Sequence, residues 1–257
     1  MRTNANINGA YPPSTEWLEF KKRKGYFPYA VEKGWLIDEV PKDALSELDI
    51  IVDQIKDNND LYPLYTKKLA GSIDKEYKVE MGDNVKKYVT QLIRRYEKES
   101  GGFLQNNYSK LFSNNRVNLT FSDHFWVNFQ QKYEYNPLHV HNGLFSFVIW
   151  HTVPYYIEDE TKKGPGSNKQ LLMDNFNENG CFSFAWHNGV QMQTHEMPVD
   201  KTWEGKICLF PADLNHQVFP FYTSDDYRIS FSGNIFLEGT PPPPPQPTQI
   251  NKRHTNW

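Results

Sequence analysis

The second half of the chain consists of short β-branched and aromatic runs separated by turn residues, and this pattern constrains the fold most. The runs begin near Arg116 and continue to Phe236, with no helical period between them. Several short strands with polar breaks are typical of an antiparallel sandwich or barrel. Aromatic residues, which favour strands, make up 15% of the chain. The predicted strands span residues 125–129, 145–153, 181–186, 206–210 and 227–236.

Two amphipathic helices are predicted before these strands. Pro41 opens a run in which apolar residues recur every three or four positions as far as Ile55. A second such run spans Asp83 to Glu99, and two glycines follow it. Residues 1–40 carry three prolines among aromatic residues, so we expect an irregular segment packed on the core. Residues 158–168 are polar and are predicted to form a loop.

These patterns divide the chain into three parts. Residues 1–112 are predicted to be an irregular and helical segment packed on the barrel, and residues 113–238 to be the β-rich catalytic core. Residues 239–257 are predicted to be a tail outside the core, because Pro241 to Pro245 form a stiff polyproline stretch. The fold class is mainly β, of the α+β kind.

Charge and composition exclude several classes of protein. With 28 Lys and Arg against 31 Asp and Glu, the net charge is -3, which argues against a general binder of nucleic acid or anionic membranes. The longest apolar stretch is far short of the roughly 18 residues that a membrane span needs. The first residues lack the apolar region of a secretory signal. Two cysteines, Cys181 and Cys208, are too few for a disulfide framework. We therefore expect a cytoplasmic protein with buried thiols.

The segment from Asn136 to Gly143 contains His139 and His141, directly before an apolar run. Side chains at i and i+2 of a strand share a face, so these two imidazoles are expected to point to one place. Alternatively, one is a hydrogen-bonded structural histidine and the other is exposed. His216 follows a second strand-like run. Three neutral nitrogens from two strands can bind one face of an octahedral ion and leave the opposite face open, as non-haem Fe(II) chemistry requires.

Arg228 and Ser230 follow His216 by about twelve residues and again share a face of a strand. A guanidinium beside a hydroxyl, facing a metal, can bind a carboxylate. The alternative for an isolated arginine is a surface ion pair.

The order of these motifs resembles the 2-oxoglutarate- and Fe(II)-dependent oxygenases, in particular those often encoded by phages and bacteria. In that group a Trp-x-Asn strand, a Leu-His-x-His segment, a Phe-Pro-…-His turn and an Arg-Ile-Ser-…-Asn strand follow one another. The matching segments are Trp126–Asn128, Leu138–His141, Phe210–His216 and Arg228–Asn234. The resemblance covers about the last half of the chain.

The resemblance implies a double-stranded β-helix, the jelly-roll or cupin-like barrel, with N-terminal helices packed on it and Fe(II) in its mouth. It implies that His139 and His216 occupy the two histidine positions of the metal triad. It also implies that Arg228 and Ser230 hold the distal carboxylate of 2-oxoglutarate, with Asn128 a candidate for the cosubstrate's other end. Decarboxylation of 2-oxoglutarate to succinate and CO2 would accompany hydroxylation of a second substrate, using O2.

The chain departs from the better-known members of the superfamily at His141, which stands where they have a carboxylate. A third imidazole removes a negative charge from the metal site. Asp213 is the alternative source of a carboxylate. If His141 is a ligand, metal binding is expected to weaken as the pH falls through about 6.5, where a free histidine takes up a proton.

Two other functions stay open at this stage. One is a three-histidine cupin-type dioxygenase or isomerase that does not use 2-oxoglutarate, although the glutamate that cupins place after His-x-His is absent here. The other is a non-enzymatic jelly-roll binding or virion-associated module. The substrate is expected to be a small molecule or a peptidyl group, and a phage-encoded protein would act in the host cytoplasm. The expected partners do not include membranes or nucleic acid.

Overall fold

The computed structural model describes residues 24–30, 33–108, 119–165 and 177–237. The predicted polyproline tail lies outside the described residues, as do residues 1–23. The helices are α1 (Lys42–Asp57), α2 (Asp83–Glu99), α3 (Phe103–Tyr108) and α4 (Ile157–Lys163). Both helices predicted before the strands are confirmed. Within the described residues, no helix combines the length and the apolar character that crossing a membrane requires.

Eleven described strands form two antiparallel sheets. The strands are β1 (Gly25–Ala30), β2 (Lys33–Glu39), β3 (Glu76–Lys78), β4 (Leu119–Gln130), β5 (Asn136–His139), β6 (Phe145–Thr152), β7 (Phe182–His187), β8 (Met192–Met197), β9 (Lys206–Pro211), β10 (Asn215–Val218) and β11 (Arg228–Leu237). The larger sheet has the order β1-β2-β9-β6-β11-β4-β3, and the smaller one has the order β5-β10-β7-β8. The eight strands β4 to β11 contribute four to each sheet. The chain enters the small sheet at β5, at β7–β8 and at β10, and it returns to the large sheet after each, at β6, β9 and β11. This exchange between two facing sheets is the double-stranded β-helix, so the predicted fold is confirmed.

Alternation along the strands separates two apolar layers. On β6, Phe145, Phe147 and Ile149 belong to a cluster that also contains the buried faces of α1 and α2. The intervening residues Val148 and Trp150 belong to a second cluster, which includes side chains of the smaller sheet. The helices therefore cover the outer face of the large sheet, and the space between the two sheets holds the other core.

The N-terminal part differs from its prediction. Where the sequence predicts an irregular segment, β1 and β2 form a hairpin whose second strand pairs with β9 and extends the large sheet. Pro28 is tolerated because β1 is the edge strand of that sheet. The loop predicted at residues 158–168 was also wrong in its first part, since α4 occupies residues 157–163. Strands β5 and β10 have four residues each, and these two, like β8, are not among the strands predicted from the sequence.

Candidate functional site

The sheet pairing brings His139, His141 and His216 together. His139 ends β5 and lies opposite His216 on β10. His141 lies two residues beyond the end of β5, where its backbone N–H donates to the carbonyl of Ala212. The ligand atoms of the three imidazoles all lie within 4.8 Å of one another. The Nε2 atoms of His141 and His216 are 3.1 Å apart. The structure thus gathers the three predicted histidines, although His141 follows the strand rather than continuing it.

Backbone carbonyls orient two of the imidazoles. The Nδ1 atom of His139 lies 2.7 Å from the carbonyl oxygen of Pro137, and Nδ1 of His216 lies 2.9 Å from that of Leu214. Because a carbonyl only accepts, each Nδ1 carries the proton and each Nε2 presents a lone pair to the cluster. Metal-bound histidines are commonly oriented in this way. Among the described residues, His141 has no corresponding Nδ1 contact.

Burial keeps the cluster neutral. Loss of solvation lowers the pKa of His216 well below the ordinary histidine value, and the neighbouring imidazoles add to the effect. Burial, followed by the charge of His139, lowers the pKa of His141 to about 3. Burial also lowers the pKa of His139. The neutral imidazole that a metal needs is therefore present well below the pH of about 6.5 that the sequence suggests.

The donor set fits a divalent first-row transition metal. Three neutral nitrogens in mutual contact are typical ligands of Fe, Ni, Cu or Zn, whereas oxygen-only sites suit Mg and Ca. Asp213, the alternative carboxylate, is largely exposed and pairs with Lys33 Nζ at 3.1 Å. Among the described residues, the three histidines are the one group of potential ligands of this kind. His139, His141 and His216 would therefore hold the metal, with ligand positions left for other molecules.

A pocket of about 650 Å³, its open mouth included, contains the histidine cluster. Strand register places four residues of the large sheet in one row: Glu76 pairs with Asn128, Asn128 with Ser230, and Ser230 with Trp150. All four line the pocket, and Arg228 and Gln130 line it two residues further along β11 and β4. The predicted cosubstrate residues thus lie in the same pocket as the predicted metal ligands.

Arg228 is a buried cation without a carboxylate partner. Its side chain is 3% exposed, so the alternative of a surface ion pair is wrong. Within the described part of the chain, all five of its N–H groups donate to neutral oxygens. Oε1 of Gln130 accepts from both Nε and Nη2, at 3.0 and 2.6 Å. The remaining acceptors are the hydroxyl of Tyr155 and the carbonyls of Gly180 and Phe219. The Nε–Nη2 edge, which can bind a carboxylate through two hydrogen bonds, therefore faces an amide oxygen.

Asn128 and Ser230 contact each other across β4 and β11. Asn128 Nδ2 donates to Ser230 Oγ at 3.3 Å, while Asn128 Oδ1 is buried and has no hydrogen-bond partner among the described residues. Burying an unpaired acceptor is unfavourable unless a ligand or water completes it. The side-chain carbonyl oxygen of Asn128 can therefore accept a hydrogen bond from a molecule in the pocket.

Sequence reasoning missed three pocket residues: Glu76, Gln130 and Asn136. Glu76 lies on a strand of three residues, too short for a periodic signal. Gln130 is the cross-strand neighbour of Arg228, so it would have been found if the register between β4 and β11 had been known. His151, another histidine of the chain, lies outside the cluster and contacts Asp49 at 2.9 Å.

Comparison with known proteins agrees with the site. Residues 124–234 match the family described as "Putative 2OG-Fe(II) oxygenase", and this range contains the three histidines and Arg228. The predicted resemblance to the 2-oxoglutarate- and Fe(II)-dependent oxygenases is thereby confirmed. A comparison with curated proteins gave no match.

Three solved structures illustrate the structural likeness. A prolyl-4-hydroxylase from Pseudomonas putida is 13% identical with a TM-score of 0.43, over 80% of this chain and 92% of that one. AviO1 from Streptomyces viridochromogenes Tue57 is 12% identical with a TM-score of 0.44, over 94% and 100% of the two chains. A 2OG-Fe(II) oxygenase family oxidoreductase from Burkholderia pseudomallei is 10% identical with a TM-score of 0.40, over 91% and 93%.

Proposed function

Residues 124–234 match the 2-oxoglutarate- and Fe(II)-dependent oxygenase family, and from this premise we propose that the protein hydroxylates a small molecule or a peptidyl group. The observation that carries the proposal is one pocket with two features. It holds three neutral imidazoles in mutual contact and a buried guanidinium that no carboxylate of the described residues pairs with. The first suits a divalent metal and the second suits a dicarboxylate cosubstrate.

His139, His141 and His216 are the proposed metal ligands. Bound there, Fe(II) would supply the O2 activation that couples oxidation of 2-oxoglutarate to succinate and CO2 with hydroxylation of the substrate. The protein's own part is to keep the three imidazoles neutral and oriented. The carbonyls of Pro137 and Leu214 hold two of the rings in place, and apolar neighbours such as Phe210 surround His216. These apolar walls also exclude water from the reacting groups.

Arg228 is the proposed partner of the distal carboxylate of 2-oxoglutarate, with Ser230 as a further contact there and Asn128 as a contact of the cosubstrate's other end. A buried charge is normally paired with an opposite charge, whereas the acceptors around Arg228 are all neutral. The Gln130 amide oxygen occupies the two-donor edge that a carboxylate would use. On this proposal, Gln130 yields one or both of those bonds when the cosubstrate binds.

The family match favours this function over the two alternatives. A cupin-type enzyme without 2-oxoglutarate would leave the buried guanidinium without a ligand to bind, and a binding module would not need the metal-competent cluster. A cytoplasmic location is also part of the proposal. It is supported by the free, buried thiols of Cys181 and Cys208, which suit a reducing compartment.

Succinate release tests the proposal. The full-length protein is incubated with Fe(II), ascorbate and 2-oxoglutarate, and succinate is measured with and without candidate substrates. Slow release without a substrate, abolished in His216→Ala but retained in His151→Ala, is the expected result. His151→Ala is the matched control because His151 lies outside the cluster and contacts Asp49. Turnover that is absent from the folded, Fe(II)-binding wild type, or equal in the two variants, would overturn it.

A further inference from the structure

Glu76 is a buried carboxyl group in the pocket that the proposed reaction does not use. Its side chain is 1% exposed, and neither Oε1 nor Oε2 has a hydrogen-bond partner in the part of the chain that the structure describes. Carboxyl groups are rarely buried without a partner, because the cost of removing them from water is then uncompensated. Glu76 lies at the pocket's lateral edge, since β3 is the last strand of the large sheet.

Two further unpaired oxygens flank this carboxyl group. Asn128, the cross-strand neighbour of Glu76, directs Nδ2 to Ser230 and leaves Oδ1 buried and unpaired. Asn136 Oδ1 is also buried, and no described residue donates a hydrogen bond to it. A methyl group placed on Gly71 would lie 1.9 Å from Asn136 Oδ1 and 3.2 Å from Glu76 Oε1. Both oxygens therefore lie next to the same glycine and close to each other. Four acceptor oxygens with no donor thus line one side of the pocket.

The positively charged residues near this group are engaged elsewhere. Lys75 Nζ donates to the hydroxyl of Tyr227, and all five N–H groups of Arg228 donate to neutral acceptors. Another acid, Glu134, is held close by backbone N–H groups of Asp74 and Gln131. The surroundings of Glu76 therefore offer acceptors and negative charge, which attract a cation that carries several N–H donors.

We propose that Glu76, with the side-chain carbonyls of Asn128 and Asn136, binds a protonated amine of the substrate. This inference rests on the proposed function, because it names the substrate class of the same pocket. An ammonium group is a compact charge with three donors, which matches a carboxylate flanked by two amide oxygens. The anionic cosubstrate binds at Arg228, two residues away along β11 from the row that contains Glu76. Its contacts with Asn128 and Ser230 use the N–H and O–H donors of these side chains, so the carbonyl oxygen of Asn128 is left for the amine.

The effect of burial on Glu76 is consistent with this assignment. Burial, and then the charge of Glu134, raises the pKa of Glu76 to about 8. A neighbouring cation favours the charged form of a carboxyl group. Binding of a protonated amine would therefore lower the pKa of Glu76 and favour its carboxylate form, which is the counter-charge of the amine.

Ligand binding to the metal-free, full-length protein tests the inference without turnover. n-Pentylamine and 1-pentanol serve as a charged and a neutral probe of equal length, and their dissociation constants are measured by ligand-observed NMR titration at pH 7. The wild type should prefer the amine. Glu76→Gln, which is isosteric, should weaken amine binding about tenfold or more and leave pentanol binding unchanged. Glu80→Gln removes the same charge from an exposed position next to β3 and should behave as the wild type.

Further measurements separate this role from its competitors. Glu76→Asp keeps the charge and should retain part of the preference for the amine, provided that circular dichroism shows an unchanged fold. Equal binding of amine and alcohol by the wild type would overturn the inference, as would unchanged amine binding in Glu76→Gln. A loss of Mn(II) or 2-oxoglutarate affinity in Glu76→Gln, with amine binding retained, would assign Glu76 to the metal or the cosubstrate instead. Because no arm requires succinate release, failure here is distinct from failure of the proposed function.

Discussion

At the scale of single residues, the basic Arg228 and the acidic Glu76 lie in one pocket, yet the structure does not pair them. Arg228 is surrounded by neutral acceptors and Glu76 by unpaired ones. The free-energy cost of burying each group would be smaller if the two were paired, since removing a lone charge from water is unfavourable. Keeping them apart leaves one region that suits an anion and another that suits a donor. A pocket for two ligands of different charge requires this separation.

Replacing Arg228 by alanine should weaken 2-oxoglutarate binding by about 2–5 kcal/mol, because the cosubstrate's carboxylate would be left unpaired in a buried site. Calorimetric titration with 2-oxoglutarate in the presence of Mn(II) measures the change. Arg95→Ala is the control, since Arg95 on α2 pairs with Asp38 of β2 and Glu99 of α2 and does not line the pocket. An unchanged dissociation constant in a folded Arg228→Ala would contradict the cosubstrate assignment and favour the cupin-type alternative.

His141 allows the metal assignment to be tested by charge as well as by deletion. His141→Ala should lose metal affinity, whereas His141→Asp should keep the metal because a carboxylate can replace the imidazole. Mn(II) binding to both variants, followed by calorimetry or electron paramagnetic resonance, gives the comparison. If His141→Ala binds the metal and turns over 2-oxoglutarate like the wild type, His141 is only a neighbour of the site.

The pH dependence of metal binding should differ from that of a free histidine. Since burial lowers the pKa of all three imidazoles, to about 3 for His141, protons do not compete with the metal near neutrality. Mn(II) affinity is therefore expected to stay level between pH 7.5 and pH 6. A tenfold loss over this range would show that the imidazoles are protonated in the free protein and would refute the effect of burial.

The sequence predicts the residues of the candidate site better than their contacts. The spacing of His139 and His141, and the resemblance that includes His216 and Arg228, single out side chains that the structure places in one pocket. The sequence could not show that Gln130 occupies the edge of Arg228, because that contact depends on the register between β4 and β11. Glu76 was missed for a similar reason, since its burial depends on its place at the end of a sheet.

At the scale of elements, local signals decide which predictions fail. The periodicity of α1 and α2 extends over four turns or more and is easily read. Pro28 makes β1 look irregular, since proline cannot donate to a sheet, but an edge strand tolerates it. Helix α4 has acidic residues in its first turn and lysines in its last, a pattern that suits the helix dipole and was available in the sequence.

The start of α2 depends on a side chain from α1. Gly82 provides no side-chain cap, and the carboxylate of Glu47 instead accepts hydrogen bonds from the backbone N–H groups of Asn84 and Val85. Glu47→Ala should therefore lower the free energy of unfolding by about 1–2 kcal/mol, as for other lost helix caps. Urea denaturation provides the measurement, and Asp53→Ala, at an exposed position of α1, is the control. Equal stability of the two variants would show that solvent replaces this cap at no cost.

At the scale of the whole molecule, the helical layer and the pocket lie on opposite faces of the large sheet. Alternate residues of β6 contribute to each, so one strand supports the outer core and lines the space between the sheets. A substitution on the outer layer should therefore act on stability, whereas one on the inner layer acts on stability and binding together. Buried polar groups of the inner layer are where the two demands conflict.

Glu76 should make the stability of the free protein depend on pH. Its pKa is about 8 in the folded state and near 4.5 when exposed, so between these values the folded state holds a proton that the unfolded state has released. Stability contributed by this group is complete below about pH 4.5 and is lost as the pH rises towards 8, by at most about 1.4 kcal/mol per pH unit. The three buried histidines act oppositely, and their contribution is lost as the pH falls below 6.5. Urea denaturation of the metal-free wild type and of Glu76→Gln at pH 6.5, 7.25 and 8 separates the two effects. Glu76→Gln should become more stable relative to the wild type with each step, because an amide has no proton to lose. A difference between the two proteins that does not change with pH would mean that the Glu76 carboxyl group is ionised in the fold and has found a partner.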